Sequence, residues 1–226
     1  MNTTKLRLVR GCRYGIVANK SAGKTTLLRS IAGYMIEGFP TKEELRTTFV
    51  ETDISPEQTK MNVVEFVVDT LKSIRTLTLE EVSKVLSEMG FNDVMQRGAI
   101  SRLSGGWKMK LALVRGMLSQ TDIYLMDEPT NHLDVVNVQW VVDYLNGDLC
   151  KNVTSLIVSH DTKFLDKVCT HVIHFDNLKL KTYKGNLSRF VEKKPEIASF
   201  FDLSKTSLTF SFPKPSMIGT CFVKSP

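Results

Sequence analysis

The sequence predicts an α/β fold built on a mostly parallel sheet, with a helical subdomain inserted between two of its strands. Three observations carry that reading. Short apolar runs of strand length alternate with stretches of helical periodicity along most of the chain. One of the runs, Ile123-Tyr124-Leu125-Met126, is apolar throughout rather than alternating, as a strand buried on both faces must be. From Asp53 to about Arg102, by contrast, helical patterns follow one another with no strand between them.

The elements follow in order. Arg13 to Val17 (RYGIV) reads as a short buried strand, and Lys24 to about Ile36 (KTTLLRSIAGYMI) as the helix after it. Phe49-Val50-Glu51 reads as another short strand. The helical region from about Met61 to Gly90 ends in a well-signed helix. Thr78 followed by Glu81 fits a capping box, and Gly90 stands where it terminates the helix after Met89. A further helix starts near Gly105 with Ser104 as its natural N-cap. Val135 to about Leu145 reads as helix, and Ser155 to Val158 (SLIV) as a buried strand. From Phe212 onward the text has three prolines and no period. Residues 203–226 are therefore expected to be a linker or disordered tail, and 1–202 the folded domain, with its helical subdomain at about 53–104.

The composition sets bounds on function. Of 226 residues, 42% are hydrophobic and 24% charged, which is ordinary for a soluble globular domain. No apolar run approaches the roughly 20 residues that cross a bilayer, and MNTTKLRLVR holds no apolar segment of a secretory signal. Four scattered cysteines without a CxxC pair argue against a disulfide framework or zinc cluster, and for a reducing, cytoplasmic setting. The net charge of +6 is uneven. Residues 1–36 hold seven bases and no acid, residues 203–226 three bases and no acid, and the middle carries −4. Modest basic ends of this kind are more often a solvated face than a nucleic-acid contact.

Chemistry enters with Ala18-Asn19-Lys20-Ser21-Ala22-Gly23-Lys24-Thr25, which matches GxxxxGK[ST] except at its first position, where Ala18 stands. Such a loop between strand and helix curls backbone N–H groups around phosphates at a helix N-terminus. Its lysine reaches the β/γ oxygens and its Ser/Thr hydroxyl binds Mg²⁺. Asp127 and Glu128 end the apolar strand, the form of a Walker B segment. The first acid can hold Mg²⁺ and the second can polarise an attacking water. An Asp-Glu pair alone would be an ordinary loop start. Leu103-Ser104-Gly105-Gly106-Trp107 opens a helix about 20 residues earlier and offers a hydroxyl and free backbone donors to an anion. Asn131-His132-Leu133-Asp134 follows the acids, and Ser159-His160-Asp161 places an imidazole at a strand's carboxyl end, where α/β sheets bind ligands. His171 and His174 have no motif around them and read as structural.

In this order, the loop, LSGGW, DEPTNHLD and SHD resemble the ATP-binding cassette (ABC) superfamily of P-loop NTPases, and TNHLD resembles its ABC-F branch. Longer strings, among them LSGGWKMKLAL, LKL..YKGN and F.FP.P, are similar to the first cassette of the fungal-type translation elongation factor 3 family. The resemblance implies an ATPase that works only when two cassettes sandwich the nucleotides, the second in cis in the full-length family and otherwise in trans. Asn19, Lys20, Ser21, Ala22, Gly23, Lys24, Thr25 and Thr26 would then bind ATP, with Thr25 and Asp127 on Mg²⁺. Glu128 would activate water and His160 would contact the γ-phosphate. Ser104, Gly105 and Gly106 would complete the partner's site, and Asp134 would tie the two sites together. Ribosome and rRNA become the implied partners, with no membrane.

The sequence also departs from that pattern. Ala18 and Ser21 replace glycines. If those positions need φ > 0, each substitution costs about 1–2 kcal/mol, or roughly tenfold in affinity. Thr52 stands at the Q-loop position, and the strand that stacks on adenine would precede residue 1. These features leave open a degenerate, non-hydrolysing regulatory module or gene fragment. The nucleotide-binding subunit of a transporter is a further reading.

Overall fold

The computed structural model describes residues 6–19, 22–52, 54–176, 179–195 and 197. Six strands form one sheet: β1 (Arg13–Ala18), β2 (Thr47–Val50), β3 (Ile123–Asp127), β4 (Thr154–Val158), β5 (His171–Asp176) and β6 (Lys179–Lys184). Their order is β2-β3-β4-β1-β5-β6; the first five are parallel and β6 runs antiparallel to β5. The helices are α1 (Lys24–Ala32), α2 (Val63–Leu71), α3 (Leu79–Glu88), α4 (Asp93–Arg97), α5 (Gly105–Leu118), α6 (Val135–Asn146), α7 (Thr162–Val168) and α8 (Leu187–Lys193). Among the described residues, no helix is long and apolar enough to cross a membrane.

The continuous apolar strands are covered on both faces. Along β3, Tyr124 and Met126 join a cluster with residues of α5, α6, α7 and α8, while Ile123 and Leu125 join Leu28 and Ile31 of α1 on the opposite face. This is the three-layer packing that a strand without polar alternation requires. A third cluster has its own centre. Val63, Phe66, Val67 and Leu71 of α2, Val82 and Leu86 of α3 and Phe91 pack against Leu111, Val114 and Leu118 of α5. Between Asp53, outside the described residues, and Arg102, helices alone are present apart from an isolated bridge between Asn62 and Ala99.

Several boundaries differ from the sequence reading. α1 stops at Ala32, short of Ile36, because Gly33 follows and Tyr34 takes a left-handed φ of 54°. β2 covers Thr47–Val50 and leaves out Glu51. The β5–β6 hairpin was not foreseen: His171 and His174 interrupt the apolar run in β5, and β6 is an edge strand with only Leu180 and Tyr183 turned inward. The expected tail, residues 203–226, lies outside the described residues, as do Lys20 and Ser21. On α3, both halves of the Thr78–Glu81 capping box form, and Gly90 takes φ 91° after it.

Candidate functional site

β1 leads into the candidate site through Ala18, which is extended and in register with Phe175 of β5. The left-handed region is therefore not occupied at Ala18, and the cost expected for a missing glycine does not arise there. The turn comes five residues later. Gly23 takes φ 91° as N-cap of α1, a conformation that penalises any side chain. Among the described residues no side chain caps α1, and the amides of its first turn, Lys24, Thr25 and Thr26, lie at the positive end of the helix dipole. Lys24 folds back over the loop and donates from Nζ to the Ala18 carbonyl at 3.1 Å and the Asn19 carbonyl at 3.3 Å. The Asn19 carbonyl also accepts from the Ala22 amide at 3.2 Å.

These groups form one wall of a cleft of about 610 Å³ at the carboxyl ends of the parallel strands. Ala22 and Gly23 line it from the loop, Lys24, Thr25, Thr26 and Arg29 from α1, and Phe49 to Thr52 from the end of β2. Asp127, Glu128 and His160 close it from β3 and β4. Thr25 and Asp127 thus share the cleft. A hydroxyl with one carboxylate fits Mg²⁺, which takes few protein oxygens and completes its shell with water and phosphate.

Glu128 has the most constrained geometry in the cleft. The chain leaves β3 through a left-handed residue, φ 51° at Glu128, whose amide donates to the Val158 carbonyl at 2.8 Å. That turn brings the carboxylate across to the end of β4. Oε2 accepts from the His160 amide at 3.1 Å, and Oε1 lies 3.5 Å from His160 Nε2. The Glu128 side chain is 20% exposed and that of His160 70% exposed, so the pair grades from a screened carboxylate to an open imidazole. Asp161 does a different job: it caps α7, accepting from the Phe164 amide at 2.9 Å, and so holds the backbone at His160.

The structure places Ser104, Gly105, Gly106 and Asp134 away from that cleft, in a second group at the start of α5 and α6. Ser104 occupies the N-cap position of α5 but makes no side-chain capping bond. A Cβ on Gly105 would meet the His132 carbonyl at 3.2 Å, and one on Gly106 would fall on the Asn137 side chain. Asp134 caps α6 and is engaged by Asn137, whose amide donates at 2.8 Å and whose Nδ2 reaches both carboxylate oxygens at 3.0 Å. Sequence reasoning missed Arg29 and Asn137. Arg29 lies on the Thr25–Thr26 face of α1 by its i+4 and i+3 spacing, a signal present in the text. Asn137 acts through a tertiary contact with Gly106 that the text does not carry.

The chain is 51% identical over 218 residues to "Elongation factor 3B" of Saccharomyces cerevisiae, covering 96% of this chain and 20% of that protein. It is 47% identical over 220 residues to "Elongation factor 3" of Phytophthora infestans, covering 97% and 21%. The chain thus spans about a fifth of the length of these curated relatives. A nucleotide-free ATP-binding cassette from an ABC transporter superposes with a TM-score of 0.72 over 88% of this chain and 90% of its own, at 15% identity, a likeness of fold alone. The family profile described as ABC transporter matches residues 1–131, more than half of the 226. The chain belongs to the ABC transporter family of ATP-binding cassettes.

Proposed function

We propose that the chain is an ATP-binding and ATP-hydrolysing cassette of an elongation factor 3-like, ribosome-associated cytoplasmic protein, active when paired with a second cassette. The observation that carries this reading is the Glu128–His160 pair, joined by two contacts at the mouth of the cleft that Lys24 and Thr25 line. The first-turn amides of α1 and the Lys24 ammonium bind the β and γ phosphates. Thr25 and Asp127 would hold Mg²⁺, which would supply neutralisation of charge on the phosphate oxygens. Glu128 accepts a proton from the attacking water, the water oxygen bonds to the γ-phosphorus, and the bond to the bridging oxygen of ADP breaks. In this reading His160, held against Glu128, donates to the γ-phosphate from its open side. Ser104 and Gly105 offer a hydroxyl and an α5 amide at the surface, with the buried Gly106 directly behind them, for the nucleotide held by the second cassette. Asp134 lies beside them for contact across the pair. Lys20 and Ser21 belong to the same loop and are assigned to phosphate binding with it.

The test is ATP turnover in the presence of a complementary cassette, together with equilibrium Mg·ATP binding by the chain alone. Glu128→Gln is expected to lower turnover by about 10²-fold or more while binding persists. Lys24→Ala is expected to weaken binding itself. Unchanged turnover in Glu128→Gln sinks the catalytic assignment. For the ribosomal assignment, the chain is expected to co-sediment with ribosomes and not with lipid vesicles; the reverse would favour a transporter subunit.

A further inference from the structure

Lys110, on the first turns of α5, lies between two indole rings. Its Nζ is 4.4 Å from the ring centre of Trp107 and 4.6 Å from that of Trp140 on α6. Among the described residues no carboxylate is paired with it, and burial alone acts on its amine, lowering the pKa. The faces of the two rings are therefore what meets its charge, an arrangement stronger where water is partly excluded. Each ring is itself fixed. Trp107 meets Phe91 edge-on at 4.8 Å, and Trp140 stacks on Tyr144 at 5.4 Å with 18° between planes. The Tyr144 hydroxyl lies 3.2 Å from that of Tyr124, on the strand that ends in Asp127. One turn nearer the helix starts, the Asn137 side chain lies against Gly106 while holding Asp134.

We infer that Lys110 is a positioning residue: its cation clasps Trp107 to Trp140 and thereby fixes the Ser104-Gly105-Gly106 end of α5 against the Asp134 end of α6, so that both are presented to the second cassette as one unit. The inference rests on the proposed function, because it supplies the geometry of the surface that completes a partner's nucleotide site. Lys110 touches no nucleotide in this reading and acts through the backbone of α5. Without the clasp, the Asn137 contact and the approach of Gly105 to the His132 carbonyl remain at the helix starts, but no charged contact among the described residues fixes the donors at Ser104 to Gly106 relative to Asp134.

Trp107 and Trp140 are the chain's only tryptophans, so its intrinsic fluorescence reads this clasp directly. Lys110→Met keeps the length of the side chain and removes the charge; Lys110→Arg keeps a cation that stacks on indole. The expected result is altered tryptophan emission in Lys110→Met and near-native emission in Lys110→Arg. Mg·ATP affinity of the chain alone should stay within about twofold in both, since the cleft is walled by other side chains. With a second cassette, kcat should fall about tenfold in Lys110→Met and recover to within about threefold in Lys110→Arg. Trp140→Leu opens the clasp from the other helix and should show the same fall in kcat if Lys110→Met does not fold. Native emission in Lys110→Met overturns the clasp, and changed emission with native kcat overturns its positioning role. Absence of turnover in the unmodified pair overturns the proposed function and this inference with it, and emission then reports on the contact alone.

Discussion

Glu128 occupies a conformation that a residue with a β-carbon adopts at a cost of about 1–3 kcal/mol, and it does so at the position proposed to take a proton from water. The hydrogen bond its amide donates to the Val158 carbonyl and its two contacts with His160 are what hold it there. Ala18 is the opposite case: a residue that departs from the motif and carries no strain. It ends β1 in extended geometry, paired with Phe175. Ala18→Gly is therefore expected to leave Mg·ATP affinity within about twofold and to lower stability by about 0.5–1 kcal/mol, because glycine weakens a strand. Isothermal binding and denaturant titration measure both, and a tenfold gain in affinity would mark the alanine as a functional defect after all. Lys24, Asp127, Glu128 and His160 were all legible in the sequence, since residue type and spacing carry their chemistry. The Glu128–His160 contact was not legible. It spans 32 positions and depends on Asp127 pairing with Val158 across β3 and β4, a register the text does not print.

At the level of elements, α5 shows why sequence patterns stop short of packing. Its apolar positions serve two clusters, Met109 and Leu113 facing the sheet and Leu111, Val114 and Leu118 facing α2 and α3. A helix apolar on both sides loses the one-sided stripe that usually signs orientation. Close approach to β3 occurs at Gly116, where an added Cβ would fall on the Tyr124 ring. Gly116→Ala is thus expected to destabilise the fold by about 1–3 kcal/mol through overpacking, even though alanine is the better helix former. A lowered denaturant midpoint at unchanged m-value would bear this out, whereas a midpoint at or above wild type would mean that α5 stands further from the strand. Strands buried on both faces and the capped α3 were readable because burial and capping leave local signatures. β5 and β6 were not: His171 and His174 flank the buried Val172 and Ile173 of β5 and break its apolar run, while β6 turns only Leu180 and Tyr183 inward and its lysines read as loop.

Across the whole molecule, part of the acid-free charge near the N-terminus is absorbed by the fold. Arg10 pairs with Asp122 at 3.5 Å, Arg13 donates to the Val168 carbonyl at 2.8 Å, and Lys24 closes the phosphate-type loop. What organises the chain is the division of its core into three clusters, two on the faces of the sheet and one among α2, α3 and α5. α2 and α3 reach the rest of the fold mainly through α5, so the third cluster can open without unpairing a strand. Phe66 is the place to test this, being 1% exposed at the centre of that cluster with the Arg115 guanidinium 5.0 Å above its ring. Phe66→Ala removes the ring from the cluster and the face from a half-buried cation, a change of about 3–5 kcal/mol. If the clusters are energetically separate, amide exchange should accelerate through α2 and α3 while β1, β3 and β4 keep their protection. Equal acceleration in helices and strands would show one cooperative unit, with α5 transmitting the loss to the sheet rather than absorbing it.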